Sequence, residues 1–134
     1  HSIKDAVGDF EFSKKQLELL KDKVDIYSGN DNQTYDFVIN GGVGVVSVAS
    51  HVVGDEISEM ISFAKDNDLE KAEEINMQLS NLFEAIFEEP SPGPIKKILS
   101  ESWEEVGEPL LPITSITPEL ANKIRGFYKK IKEN

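Results

Sequence analysis

The sequence predicts an α/β fold, a short parallel sheet made from three βα units and followed by a run of helices. Three observations carry this. In the first half, short β-rich runs alternate with segments of helical periodicity. The last of those runs, VVSVAS, is apolar on both faces, as a strand of a helix-covered parallel sheet is. Beyond about Asp55 only helical spacing remains, broken by prolines.

Taken in order, Ile3 to Val7 reads as the end of a strand, and Gly8-Asp9 as a turn. Asp9 can N-cap a helix running to about Asp22, with Phe10, Leu17 and Leu20 on one face. Val24 to Ser28 is a second strand, broken by Gly29 and Asn30. A helix over about Gln33 to Ile39 follows, then the turn GGVG (Gly41 to Gly44) and a third strand over Val45 to Ser50. Helical spacing returns from Asp55 to about Asp66 (Ile57, Met60, Ile61, Ala64). A longer stripe runs from Leu69 to Phe87, through Ala72, Ile75, Leu79, Leu82, Phe83 and Ile86. PSPGP breaks the chain, and a helix is expected from Ile95 to about Glu105. Pro109 to Thr117 is a connector. Thr117-Pro118 starts a last helix to about Lys132, with Ala121, Ile124, Phe127 and Ile131 inward. Both edges of a three-stranded parallel sheet would be open, so the chain reads as part of something larger.

Composition narrows the function classes. The chain has 134 residues, 39% hydrophobic and 29% charged, enough for a packed globular core. The absence of cysteine removes disulfides, thiolate nucleophiles and cysteine-ligated zinc. A net charge of -11 disfavours nucleic acid and anionic membrane surfaces as partners. No apolar run is long enough to span a bilayer and no secretory leader is evident, so a cytoplasmic protein is expected.

Few residues carry chemistry. Lys4 ends an apolar run just before a turn, and reads either as a solvated strand-end lysine or as a nucleophile. The glycines at Gly29 and in GGVG are turn or close-approach residues, and no lysine-serine or lysine-threonine pair follows GGVG to make a phosphate loop. His51 is expected to close the third strand as a hydrogen-bonded structural residue, and no histidine or carboxylate spacing points to a metal. Asn32-Gln33-Thr34 fits a glycosylation sequon, a chance match in a chain without a leader. Glu88-Glu89 and Glu104-Glu105 read as solvated faces.

Three motifs at the strand ends, IKDAVGD, YSGND and GGVGVVSVASHV, together with the helices that follow, resemble the C-terminal half of the dihydrodipicolinate synthase family. That family belongs to the pyruvate-dependent class I aldolases, which include N-acetylneuraminate lyase. The resemblance implies a (β/α)8 barrel, of which residues 1–66 would be the last three βα units and residues 67–134 a helical C-terminal domain. It implies that Lys4 forms a Schiff base with pyruvate, that Gly29 lines the pyruvate pocket, and that the main-chain carbonyl of Val46 faces it. A lysine partly withdrawn from water has a lowered pKa, which would supply neutral amine for attack. The implied reaction condenses pyruvate with aspartate semialdehyde, without cofactor or metal. Another pyruvate lyase (for N-acetylneuraminate or a 2-keto-3-deoxy sugar acid) and a non-catalytic, self-associating half-barrel remain open as alternatives. The implied partners are further copies or the N-terminal half of the barrel. The family's threonine and tyrosine proton relay and its carboxylate-binding arginine would lie in that half, so these residues alone are expected to be a very poor enzyme. The sequence departs from the family at Asn30, where aspartate is frequent, at Ser91-Pro92-Gly93-Pro94, usually Asn-Pro-Ile-Pro, and at Leu110, commonly arginine.

Overall fold

Parallel pairing of three short strands organises the first part of the chain in the computed structural model, which describes residues 1–133. The order is β1 (Ser2–Asp5), α1 (Phe10–Leu20), β2 (Asp25–Ser28), a 3-10 turn (Asp31–Gln33), α2 (Thr34–Ile39) and β3 (Gly44–Val45). Four further helices follow: α3 (Ser50–Lys65), α4 (Leu69–Ala85), α5 (Gly93–Ser102) and α6 (Pro118–Lys132). The chain divides into two units, one of His1–Val48 with Asp55–Asn76, the other of Ala49–Gly54 with the chain from Met77 onward. Among the described residues, no helix is long and apolar enough to cross a membrane.

In the first unit the sheet order is β1-β2-β3, all parallel. Lys4 stands opposite Tyr27 and Asp5 opposite Ser28, while Tyr27 and Ser28 face Gly44 and Val45 on the other side. Leu17, Ile26 and Phe37 form a buried cluster, with Phe10, Leu20 and Val24 packed against it. The Phe10 and Phe37 rings meet edge-on at 5.9 Å. The Asp9 carboxylate accepts from the Phe12 N–H at 3.2 Å, the N-cap expected from sequence. The helix stops at Leu20 rather than Asp22, because Lys21 already leaves the helical region (ψ 133°) and Asp22 follows with a φ of 63°.

Two expectations need correction here. β1 ends at Asp5 and not Val7, because the Asp5 carboxylate takes the Val7 N–H at 2.9 Å and turns the chain off the ladder. β3 is two residues long, not six. Its neighbour β2 ends at Ser28, so only Gly44 and Val45 find ladder partners. The VAS that was expected to be strand leads straight into α3, which starts at Ser50 and bends at Val53 (φ -130°, ψ 38°). The continuous helix resumes after that bend, where the periodicity at Ile57, Met60 and Ala64 becomes legible, and those three side chains are buried.

The second unit is helical. Leu79, Leu82, Phe83 and Ile86 on the later part of α4 are buried, as are Ile95 and Ile98 on α5 and Leu120, Ala121, Ile124 and Ile131 on α6. Phe127 is only half-buried, and Leu69, expected to join the α4 stripe, is exposed. α5 begins at Gly93 and ends at Ser102, a shift from the expected Ile95 to Glu105, since Pro94 fits the first helical turn. α6 matches its expected bounds. The Thr117 hydroxyl accepts from the Leu120 N–H at 3.4 Å, with Pro118 directly after it.

Glu88, Glu104 and Glu105 are exposed and Glu89 is partly so, as expected of solvated faces, but several of these carboxylates also hold partners. Glu88 pairs with Lys123, and Glu89 accepts from the Thr117 N–H at 3.1 Å and from the Thr117 hydroxyl. Likewise Glu105 accepts from the Gly107 N–H at 3.1 Å. The Arg125 guanidinium makes two bonds to the Glu101 carboxylate, at 2.8 and 2.7 Å, joining α6 to α5, and Lys97 approaches the same carboxylate at 3.2 Å. The Arg125 bonds, with help from Lys97, hold the Glu101 pKa down to about 2.

Candidate active site

All three strands run in the same direction, so their C-terminal ends, at Asp5, Ser28 and Val45, fall at one edge of the sheet. Lys4 is the penultimate residue of β1, Gly29 directly follows β2, and Val46 directly follows β3. The three positions proposed from sequence are thus brought to one end. Parallel α/β architectures carry their chemistry at this end, because the loops leaving the strands are free to vary while the sheet fixes their roots.

Gly29 is the tightest point. Its N–H donates to the Asp5 carbonyl at 2.5 Å. A Cβ there would stand 2.6 Å from the Ala6 Cβ, 2.9 Å from the Asp5 carbonyl oxygen and 2.9 Å from the Lys4 Cε. The requirement for glycine is therefore steric: the backbone must pass directly beside the lysine stem. The Val46 N–H donates to the Ser28 carbonyl at 2.8 Å, which fixes the first residue beyond β3 against the last residue of β2. Lys4 itself is exposed in these 134 residues, and the withdrawal from water expected of it is not provided by this chain.

Two buried carboxylates frame these loops, and neither was singled out from sequence. Asp5, 4% exposed, takes the Val7 N–H. Asp31, 2% exposed, accepts from the Ser47 hydroxyl and from the Val48 N–H at 3.1 Å. For Asp31 the available signal was an aspartate following a strand and a glycine, where a short acidic side chain satisfies loop N–H groups. The buried Ser28 hydroxyl donates to the Asn30 carbonyl at 2.8 Å, and the Gln33 side chain reaches the Gly8 carbonyl at 3.0 Å. All three strand-end loops are in this way tied by hydrogen bonds.

His51 does not close a strand; it is exposed in the first turn of α3. A cavity of about 750 Å³ opens at the other end of the sheet, lined by His1, Val24, Asp25 and Val43 among others, and touches none of Lys4, Gly29 and Val46. Its walls are the beginnings of strands, which in parallel α/β sheets serve stability rather than chemistry.

Residues 1–131 match the model of the dihydrodipicolinate synthetase family. The chain is 32% identical over 131 residues to the 4-hydroxy-tetrahydrodipicolinate synthase of Listeria monocytogenes serotype 4a, covering 98% of this chain and 45% of that protein. It is 43% identical over 130 residues to the synthase of Microcystis aeruginosa, covering 97% of this chain and 44% of that one. The crystal structure of the Cyanidioschyzon merolae synthase with lysine bound superposes with a TM-score of 0.91 at 34% identity, over 98% of this chain and 44% of that one. The chain spans a little under half the length of the relatives it matches. Its α/β fold is that of part of the synthase barrel, and the chain belongs to the dihydrodipicolinate synthetase family.

Proposed function

We propose that these residues form the pyruvate-binding part of a lyase that condenses pyruvate with aspartate semialdehyde, in lysine and diaminopimelate biosynthesis in the cytoplasm. Residues 1–66 act as the last three βα units of a (β/α)8 barrel and residues 67–134 as its helical C-terminal domain. The observation that carries this reading is the packing of the Lys4 Cε against Gly29, at the C-terminal end of the sheet and beside the Val46 loop.

In this reading the neutral Lys4 amine adds to the keto carbon of pyruvate, and loss of water leaves an iminium. The iminium withdraws electrons, so a methyl proton can leave to give an enamine. The enamine carbon then attacks the aldehyde carbon of aspartate semialdehyde. Gly29 brings its backbone directly beside the lysine stem to line the pocket for the keto acid, and the Val46 carbonyl borders that pocket. No base for the proton steps comes from these residues. Both outer edges of the three-stranded sheet invite pairing, either with further βα units or with another copy. On its own this stretch is therefore expected to bind pyruvate without completing turnover.

The test is incubation with pyruvate and borohydride, intact mass, and peptide mapping. A single reduced adduct on Lys4, lost in Lys4→Ala, is expected, its selectivity coming from pyruvate held by the strand-end loops around Gly29 and Val46 rather than from burial of the amine. Labelling spread evenly over Lys4, Lys14 and Lys15 in a folded chain would sink the reading, because those lysines are all exposed and an unselective reagent would not discriminate among them.

A further inference from the structure

Between Gly29 and Val46 lies a buried group that the chemistry above does not use. Asp31 opens the 3-10 turn after β2 and is 2% exposed. A carboxylate that far from water is retained only where donors satisfy it. Two of those donors come from the segment that leaves β3: the Ser47 hydroxyl and the Val48 N–H. Val46 immediately precedes them and donates to the Ser28 carbonyl at 2.8 Å. From Val45 on, the segment is thus held first by ladder pairing and then by one side chain, which takes over where β2 has ended.

We propose that Asp31 is a positioning residue for the pyruvate end of the sheet. It locks the Val46–Val48 main chain to the loop that carries Gly29, so that the Val46 carbonyl keeps a fixed place at the end of the sheet where Lys4 and Gly29 lie. It touches no substrate. The functional half of this inference rests on the pyruvate reading; the structural half does not. Asparagine preserves the lock, since its oxygen can accept from Val48 while its amide donates to the Ser47 oxygen. Alanine abolishes it.

The test compares wild type, Asp31→Ala and Asp31→Asn by amide hydrogen exchange and by borohydride trapping at increasing pyruvate. In Asp31→Ala, exchange at Val46 and Val48 should rise by about tenfold or more while Ile26 and Tyr27 in β2 stay near wild type. The pyruvate concentration for half-maximal labelling of Lys4 should rise about tenfold, as expected when a binding group is misplaced. Asp31→Asn should restore both. Unchanged exchange at Val46 and Val48 in Asp31→Ala would overturn the proposal. Equal loss of protection across β2 would also overturn it, as the mark of a purely structural aspartate; if Asp31→Ala does not fold, Ser47→Ala, which removes one donor, decides by the same readout. If the wild type traps no pyruvate on Lys4 but the exchange pattern appears as stated, the pyruvate reading fails and the lock stands.

Discussion

The two units of the chain are held by different physics. The sheet unit has strands of four, four and two residues, and a buried apolar cluster of Leu17, Ile26 and Phe37. Its precision comes from the backbone: a glycine pressed against a neighbouring strand, and two buried aspartates accepting loop N–H groups. The helical unit works the other way. Its order comes from apolar side chains on α4, α5 and α6, a threonine N-cap and ion pairs between successive elements. The candidate chemistry sits in the unit built from backbone contacts, where a displacement of an ångström matters. The helical unit contributes burial, which tolerates side-chain exchange far better as long as volume is kept.

That contrast can be broken from the helical side first, with the largest expected effect. Leu82 on α4 is 0% exposed. Leu82→Ala removes methylene groups from a packed interior and should cost about 2–5 kcal/mol. Exchange at Ile98 and Ile124 reports the loss within that unit. A cost below about 1 kcal/mol would mean that its surroundings collapse to fill the space, and that packing there is less exacting than the burial implies.

From the sheet side the corresponding change is the smallest one available, a single methyl. Gly29→Ala would place a carbon 2.6 Å from the Ala6 Cβ and 2.9 Å from the Asp5 carbonyl. The Lys4 stem can swing away, but the Asp5 backbone cannot do so without losing its bond from the Gly29 N–H. Overpacking of this kind costs about 1–3 kcal/mol. Trapping at Lys4 should fall further than stability does, because the swing of the stem moves the amine. A variant that keeps both wild-type stability and wild-type labelling would show that the close approach is incidental.

The same division explains what the sequence disclosed. Element order, the Asp9 and Thr117 caps and the bounds of α6 were legible, because each depends on residues within a few positions of one another. The strand-end motifs disclosed the family; the three positions named with it, Lys4, Gly29 and Val46, lie at one end of the sheet. The length of β3 was not legible. VVSVAS has the composition of a strand, but a strand exists only as far as its neighbour does, and β2 stops at Ser28. The carboxylate of Asp31, 17 positions away from Val48, takes the N–H that a longer neighbour would have paired. Nor did the sequence disclose that Glu88 and Glu89 would meet Lys123 and Thr117, contacts that span 35 and 28 positions. Long-range polar bonds leave no local pattern.

The smallest effect lies in the ion pairs of the helical unit, and its sign follows from Glu101. The Arg125 guanidinium, then Lys97, lowers the Glu101 pKa from 4.5 to about 2 in the folded chain. Its contribution to stability is therefore complete above the unfolded value near 4.5. It is lost progressively as the pH falls toward 2. Because the pair is partly solvated, screening leaves only a fraction of what the shift alone would imply. Glu101→Gln should therefore melt slightly below wild type at pH 7, and the two curves should converge between pH 4.5 and pH 2. Added salt should narrow the gap at pH 7. A gap that persists at pH 2 would assign the stabilisation to packing of the side chain rather than to its charge. The Glu101 charge would then add little to the helical unit beside its apolar burial, which sharpens its contrast with a sheet unit whose key groups include buried carboxylates.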